Sequence, residues 1–507
     1  MNNSRVANTK RNICWSFADY GISVIFQFVS RTIIIKVLGD DYLGLSSLFS
    51  SILQVLNMTE LGFSSAVIFN LYKPIAQNDN ETVCALLSFY RKVYRIAGII
   101  IFILGLAISP FLRSLIEGDV PLDLNLYVLY YLYLLNTTVS YFVYAYKASL
   151  LNALQRMDLT KIAYSIVNIS QCIFQILVLL IFRNYYLFVI GTILGTVTKN
   201  LLAAWLSKKY YPQYRCIGQI TDETKNDIWK RVKGLLIGKI SGVTYTTFDN
   251  IILSAMIGLV PVSLYNNYLV IYYAVANIII MIRLAMQASV GNSIASESIE
   301  KNYKDVFKWQ FMFSAIAIWC STFLICLYQP FMTIWMGEER LLSFVDVIML
   351  SMLLSISTVQ HAFYLYLSGY GLWWDLKWPY ILSTITNLIL NVLLCHIWGI
   401  SGIILATLIA QFVFGLIWQS VIIFRKYFMK PIFPYFIKQI KYFAIGILIG
   451  LSAYSICSLL NFGGITELLC KAAVCGLLPP ICWVLAFRKT KEFVECRQLA
   501  SKLLHRQ

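Results

Sequence analysis

Apolar residues run through this chain in about fourteen stretches of roughly twenty, each separated by a short polar gap, and a stretch of that length crosses a hydrocarbon core. Hydrocarbon offers no partner to backbone amides, so each stretch is predicted to be a helix. The approximate spans are 13–38, 43–66, 93–112, 122–146, 161–182, 187–207, 234–258, 263–286, 309–328, 342–367, 379–396, 401–424, 441–460 and 468–487. The expected fold class is therefore an all-α integral membrane protein. The widest gap, 208–233, divides the chain near its middle. It suggests an N-terminal six-helix bundle over 1–207, a linker over 208–233, a second six-helix bundle over 234–424, and two further helices with a tail over 425–507.

Several spans carry polar residues three or four apart, which stack on one helical face. The first has Ser16, Asp19, Ser23, Gln27, Ser30 and Arg31, and the second Ser46, Ser50, Gln54, Asn57, Glu60 and Ser64. The seventh has Lys239, Gly242, Thr246 and Asp249, and the eighth Asn266, Tyr273 and Asn277. A single Ser or Asn in a span commonly joins two helices. Four striped spans at matching places in two halves point instead to a polar cleft, since a stripe turned to lipid leaves its groups unsatisfied. The outer ends of spans one and seven also share a short motif, Leu38-Gly39 before Gly44-Leu45 and Ile257-Gly258 before Ser263-Leu264, the trace of a repeat.

Charge sharpens this picture. The 507 residues are 59% hydrophobic and only 13% charged, with a net charge of +17. The basic residues are dispersed over alternate gaps rather than gathered in one patch, which writes orientation in a membrane and argues against nucleic acid as a partner. On one side stand only Lys36, Arg113, Arg183, Arg340 and Lys471, while Arg31, Lys199, Lys239 and Arg283 fall inside spans. An even number of spans then places both termini in the cytoplasm. The basic leader before the first span resembles a signal peptide, but the apolar run is too long and lacks a small-residue cleavage site, so it reads as an uncleaved span.

An ionisable residue within a span costs roughly 2.5–3.5 kcal/mol even on the lenient insertion scale, and so calls for a reason. Arg31 lies about 10 Å inside the outer end of span one, where orientation does not explain it. It faces cargo, snorkels outward, or pairs with an acid. Asp249 requires a partner from another span, and Asp19 and Glu60 sit in the inner thirds of theirs. Lys239 and Arg283 stand near the inner interface. Spans four and five add Tyr141, Tyr144, Lys147 and the amides Asn168, Gln171 and Gln175, which suit sugars, although aromatic residues at span ends are ordinary interface anchors. His361 and His396 read as packed histidines. The tail, with Phe493, Leu499 and Leu503 among basic residues, forms either an amphipathic surface helix or a solvated orientation signal.

No P-loop, H-E-x-x-H or G-x-S-x-G sequence occurs. The 12 cysteines form no C-x-x-C pair and read as packing residues with free thiols, so neither a metal nor a cofactor is expected. A membrane polymerase or ligase would carry a catalytic loop, and the outer gaps are too short for one. Transport is favoured over catalysis.

Four segments, SRTIIIKVLGDDYLGLSSLF at 30–49, LNMTELGFSSAVIFNLYKPIAQND at 56–79, FVYAYKASLLNALQRMD at 142–158 and TTFDNIILSAMIGLVPVSLYNNYLV at 246–270, give the chain a resemblance to bacterial polysaccharide-unit flippases. That superfamily includes multidrug and toxin extrusion transporters and the peptidoglycan-precursor flippase. The resemblance implies two bundles in a V-shaped arrangement, lined by spans one, two, seven and eight. It implies an undecaprenyl-pyrophosphate-linked oligosaccharide as cargo, moved from inner to outer leaflet of the bacterial cytoplasmic membrane among membrane lipids. The cleft residues would be Asp19, Gln27, Arg31, Gln54, Asn57, Glu60, Lys239, Asp249, Asn277 and Arg283, with Arg31 holding pyrophosphate, joined by Lys239 and Arg283. A cation-coupled multidrug exporter and a peptidoglycan-precursor flippase are the alternatives of the same fold.

Overall fold

The computed structural model describes residues 2–60, 63–372 and 374–504, and they fold as helices joined by short turns. The side chains of Glu60, Ser64, Lys239, Thr246 and Leu503 lie outside the described residues. The chain forms two compact units, residues 1–263 and 264–507.

In the first unit the helices are α1 (Asn2–Val37), α2 (Asp40–Leu56), α3 (Phe63–Ala76), α4 (Asn80–Ile108), α5 (Leu126–Phe142), α6 (Tyr146–Ala153), α7 (Met157–Phe182), α8 (Tyr185–Tyr210) and α9 (Asp222–Met256). α1 lies along α7, α7 along α8, and α2 along α9. α10 (Leu259–Ser296) begins here and continues into the second unit. There follow α11 (Ile299–Met336), α12 (Phe344–Tyr370), α13 (Lys377–Trp398), α14 (Ile400–Ala410), α15 (Gln419–Ile423), α16 (Phe433–Ser458), α17 (Gly464–Phe487) and α18 (Lys491–Leu504). α11 is the hub of the second unit, packed by α12, α16, α17 and α18.

Eleven helices among the described residues are long and apolar enough to cross a membrane, twelve with the bent pair α5 and α6. The protein is a multi-pass membrane protein. Fourteen stretches were expected, and the two that fall short are spans two and seven. The first of these ends as α2 after 17 residues and passes into a 3-10 turn at Asn57–Glu60, and the second is α9. Both are among the striped spans: polar residues lower their hydropathy, and each is the other's neighbour in the fold.

The turns that share a sequence motif also share a geometry. At the end of α1 the amides of Leu38 and Gly39 both donate to the Ile34 carbonyl, at 2.8 and 3.1 Å. At the end of α9 those of Ile257 and Gly258 both donate to Leu253, at 2.9 and 3.2 Å. Gly39 has φ 112° and Gly258 φ 110°, a conformation that strains any residue with a Cβ. Each glycine thus reverses the chain between a striped helix and its successor.

Residues 211–221 lie against α4 and α6, with the Arg215 amide donating to Cys84 Sγ at 3.2 Å and Lys147 Nζ donating to the Tyr214 carbonyl at 3.1 Å. Thr221 then caps α9 by accepting from the Thr224 amide. The tail forms α18, whose Phe493 packs on Phe311 with ring centroids 6.4 Å apart, while Glu492 pairs with Lys438. Its apolar side is therefore spent at least partly on protein.

Candidate functional site

Within the first unit, α1, α2, α7 and α8 enclose a recess of about 370 Å³. α1 supplies Ser23, Phe26, Gln27, Ser30, Arg31 and Ile34, four of the six residues of its polar stripe among them, and α7 supplies Asn168, Gln171, Cys172 and Gln175. Leu43 and Ser46 of α2 and Phe188 of α8 complete the wall. The lining holds one guanidinium, four carboxamides and no carboxylate. Such a surface presents hydrogen-bond donors and acceptors to a neutral polyol and positive charge to an anion.

Part of this wall is fixed by hydrogen bonds. Gln175 Nε2 donates to the Phe188 carbonyl at 3.0 Å and to Thr192 Oγ1 at 2.9 Å, which fixes α7 against α8 and fills that amide's donors. Gln171 differs: its Oε1 is enclosed without a hydrogen-bond partner. Behind Arg31 stand hydroxyls in sequence, Tyr133 donating to Ser46 Oγ at 2.9 Å with its own oxygen 2.9 Å from that of Tyr185. Tyr185 stacks on Phe188 at 5.5 Å and meets Tyr42 edge-on at 5.3 Å. Tyr42 donates to both carboxylate oxygens of Asp123 in the loop before α5, at 2.5 and 2.6 Å. A rigid aromatic layer thus backs the polar lining.

The remaining candidates are distributed as follows. Asp19, buried in α1, pairs with Lys161 of α7 at 2.8 Å and accepts from Ser165 at 3.0 Å. Gln27 lies exposed on the recess, and Gln54 is exposed on α2. Asn57 accepts from the Tyr141 hydroxyl at 3.1 Å, so α5 holds the break after α2. Asp249 is enclosed by protein at 1% exposure, and its neighbour Asn250 donates to Ser51 of α2 at 2.9 Å. Asn277 and Arg283 belong to the second unit and are half-buried. Arg283 lies over the Tyr364 ring at 5.9 Å with Gln287 Oε1 3.5 Å from Nη1, so it folds onto protein rather than reaching outward. The first unit therefore gathers Gln27, Arg31 and the α7 amides in one place. Lys161, Tyr133, Tyr185 and Phe188 complete the arrangement, and reasoning on the sequence did not single them out: aromatic residues stand at many span ends, and Lys161 reads as an orientation charge.

The helical architecture and the many membrane-crossing segments are those of a multi-pass membrane protein, and the recess sets one cation beside four carboxamides within its first unit. The profile of the family described as polysaccharide biosynthesis protein matches residues 9–290, and the chain belongs to that family. A comparison with curated proteins gives no match in sequence. Among solved structures, a lipid II flippase MurJ in an inward closed conformation is similar with a TM-score of 0.70 at 15% identity, over 94% of this chain and 99% of that one. An inward-facing multidrug resistance MATE transporter gives 0.63 at 15% identity, over 78% and 93%. A Vibrio cholerae MATE transporter variant gives 0.58 at 11% identity, over 84% and 100%. These neighbours share the fold, and they are flippases and transporters rather than enzymes.

Proposed function

We propose that the protein flips polyprenyl-pyrophosphate-linked oligosaccharide repeat units from the inner to the outer leaflet of a bacterial cytoplasmic membrane, by alternating access and with both termini in the cytoplasm. The observation that carries this reading is Arg31 beside four carboxamides in one recess. A sugar head group entering hydrocarbon loses hydrogen bonds worth several kcal/mol each. Carboxamides replace those bonds, the guanidinium meets a pyrophosphate oxygen in a charge-assisted pair, and the polyprenyl tail stays in lipid. The volume is near the lower end of the ~300–1,000 Å³ usual for ligand pockets, which suits pyrophosphate with its first sugar rather than a whole repeat unit. Gln27 stands with Arg31 in the recess and is assigned to the sugar, whereas Asp249, enclosed by protein, and Arg283, folded over Tyr364, are assigned no contact with it.

A lining without a carboxylate speaks against a cationic drug as cargo. A peptidoglycan precursor is the second reading, supported by the likeness to a lipid II flippase over 94% of the chain. Reconstituted vesicles loaded with each lipid-linked sugar on one leaflet separate the two. Arg31→Ala is expected to abolish flipping of the cognate lipid, and Arg31→Lys to retain part of it, because an ammonium keeps the charge but not the planar fork. Full activity of Arg31→Ala at normal membrane abundance overturns the assignment.

A further inference from the structure

Cys326 of α11, Cys457 of α16 and Cys475 of α17 come from three different helices, and their sulfurs lie within 4.8 Å of one another. All three are buried, and the Cys457 and Cys475 sulfurs are 4.0 Å apart. We propose that they form a binding site for a soft monovalent cation, copper(I), which ties α16 and α17 to the α11 hub.

The argument begins with spacing. A metal–sulfur bond of about 2.3 Å in a flat three-coordinate centre sets neighbouring sulfurs about 4 Å apart, so the thiols stand close to the required triangle. The surroundings then decide which metal. The side chains of Ala453, Phe323, Leu327, Val474 and Leu478 around the three thiols add only carbon, and the oxygens nearby are the Thr322 and Lys471 carbonyls, each 4.0 Å from a sulfur and too far to ligate a metal held by the three thiolates. A structural zinc requires a fourth ligand to close its tetrahedron, and thiolates alone select softer ions. Copper(I) is content with three sulfurs. Binding one copper(I) releases three thiol protons and leaves the centre with a net charge of −2, and the cation on that side is Lys471, shared with Glu467. The Lys471 carbonyl touches Cys457 Sγ at 4.0 Å, and the Lys471 side chain is buried with Glu467 as its partner.

Cys457 is the next-to-last residue of α16, so the site stands where the chain turns through 459–463 into α17. The other buried cysteines do not form such a group: among the described residues this is the one cluster of three possible ligands. The site is separate from the recess of the first unit and does not depend on the cargo assigned there.

The full chain, purified in detergent under anaerobic reducing conditions, is titrated with copper(I) against a competing chelator. One copper retained per chain is expected, with three sulfur neighbours in the X-ray absorption spectrum of the unsubstituted protein. Cys457→Ser and Cys475→Ser are expected to weaken retention by about ten-fold or more, while Cys320→Ser and Cys482→Ser leave it unchanged. Loss of all copper to the chelator, a spectrum without three sulfurs, or equal retention by a Cys326/Cys457/Cys475 triple serine variant overturns the proposal. The spectrum is read on the native chain, so a poorly folding variant does not blunt the test.

Discussion

Gln171 and Gln175 stand one helical turn apart on α7 and line the same recess, yet their hydrogen bonding assigns them different work. Gln175 spends both donors on α8, so Gln175→Leu removes two interhelical hydrogen bonds and is expected to cost about 1–3 kcal/mol of stability. Gln171 has an enclosed oxygen with no partner, so Gln171→Leu removes an unsatisfied group and is expected to leave stability unchanged or raised. Thermal unfolding in detergent checks both outcomes, and equal loss of stability in the two variants defeats the distinction. Arg31 was legible in the sequence because a charge so deep in a span has no role in orientation. The α7 amides were legible as chemistry, but nothing in their spacing shows that α1 and α7 bring them to Arg31. The aromatic backing was not legible, because tyrosine at a span end has the same appearance whether it anchors in lipid or supports a site.

At the scale of elements, periodicity and length located the helices well and failed where polarity and packing compete. α2 and α9 were marked as spans from their apolar runs, yet α2 is only 17 residues long and the two turn polar residues toward each other, Asn250 donating to Ser51. The Gly39 and Gly258 turns were legible as a motif, since the conformation that they adopt favours glycine. Pairing between helices was not. Asp19 was read as a cleft residue awaiting a cation, and the structure gives it Lys161, a residue that looked like one more orientation charge. This pair joins the helix carrying Arg31 to the helix carrying the amides. Asp19→Asn or Lys161→Met alone leaves a part-buried charge and is expected to lower stability by about 1–3 kcal/mol, less than for a fully buried pair because Lys161 is 31% exposed. The double variant is expected to recover most of the loss. Additive losses in the double variant would show that the two charges act separately.

For the whole molecule, the distribution of Lys and Arg makes a claim that native cysteines can test without adding a tag. Cys470 is exposed on α17, one residue before Lys471 and on the side where basic residues are few. Cys216 lies in the loop before α9, among the basic residues of the central gap, half-buried with its thiol 3.4 Å from the Tyr146 hydroxyl. Cytoplasmic loops carry the excess of Lys and Arg, which places Cys216 inside and Cys470 outside. A membrane-impermeant maleimide applied to intact cells is expected to label Cys470, with the signal lost in Cys470→Ser. Cys216 is expected to react only after the membrane is opened, and more slowly, because its thiol is engaged. Labelling of Cys216 in sealed cells, with Cys470 protected until lysis, would reverse the orientation. It would also place the basic loops outside and turn the proposed inward-to-outward direction of transport around.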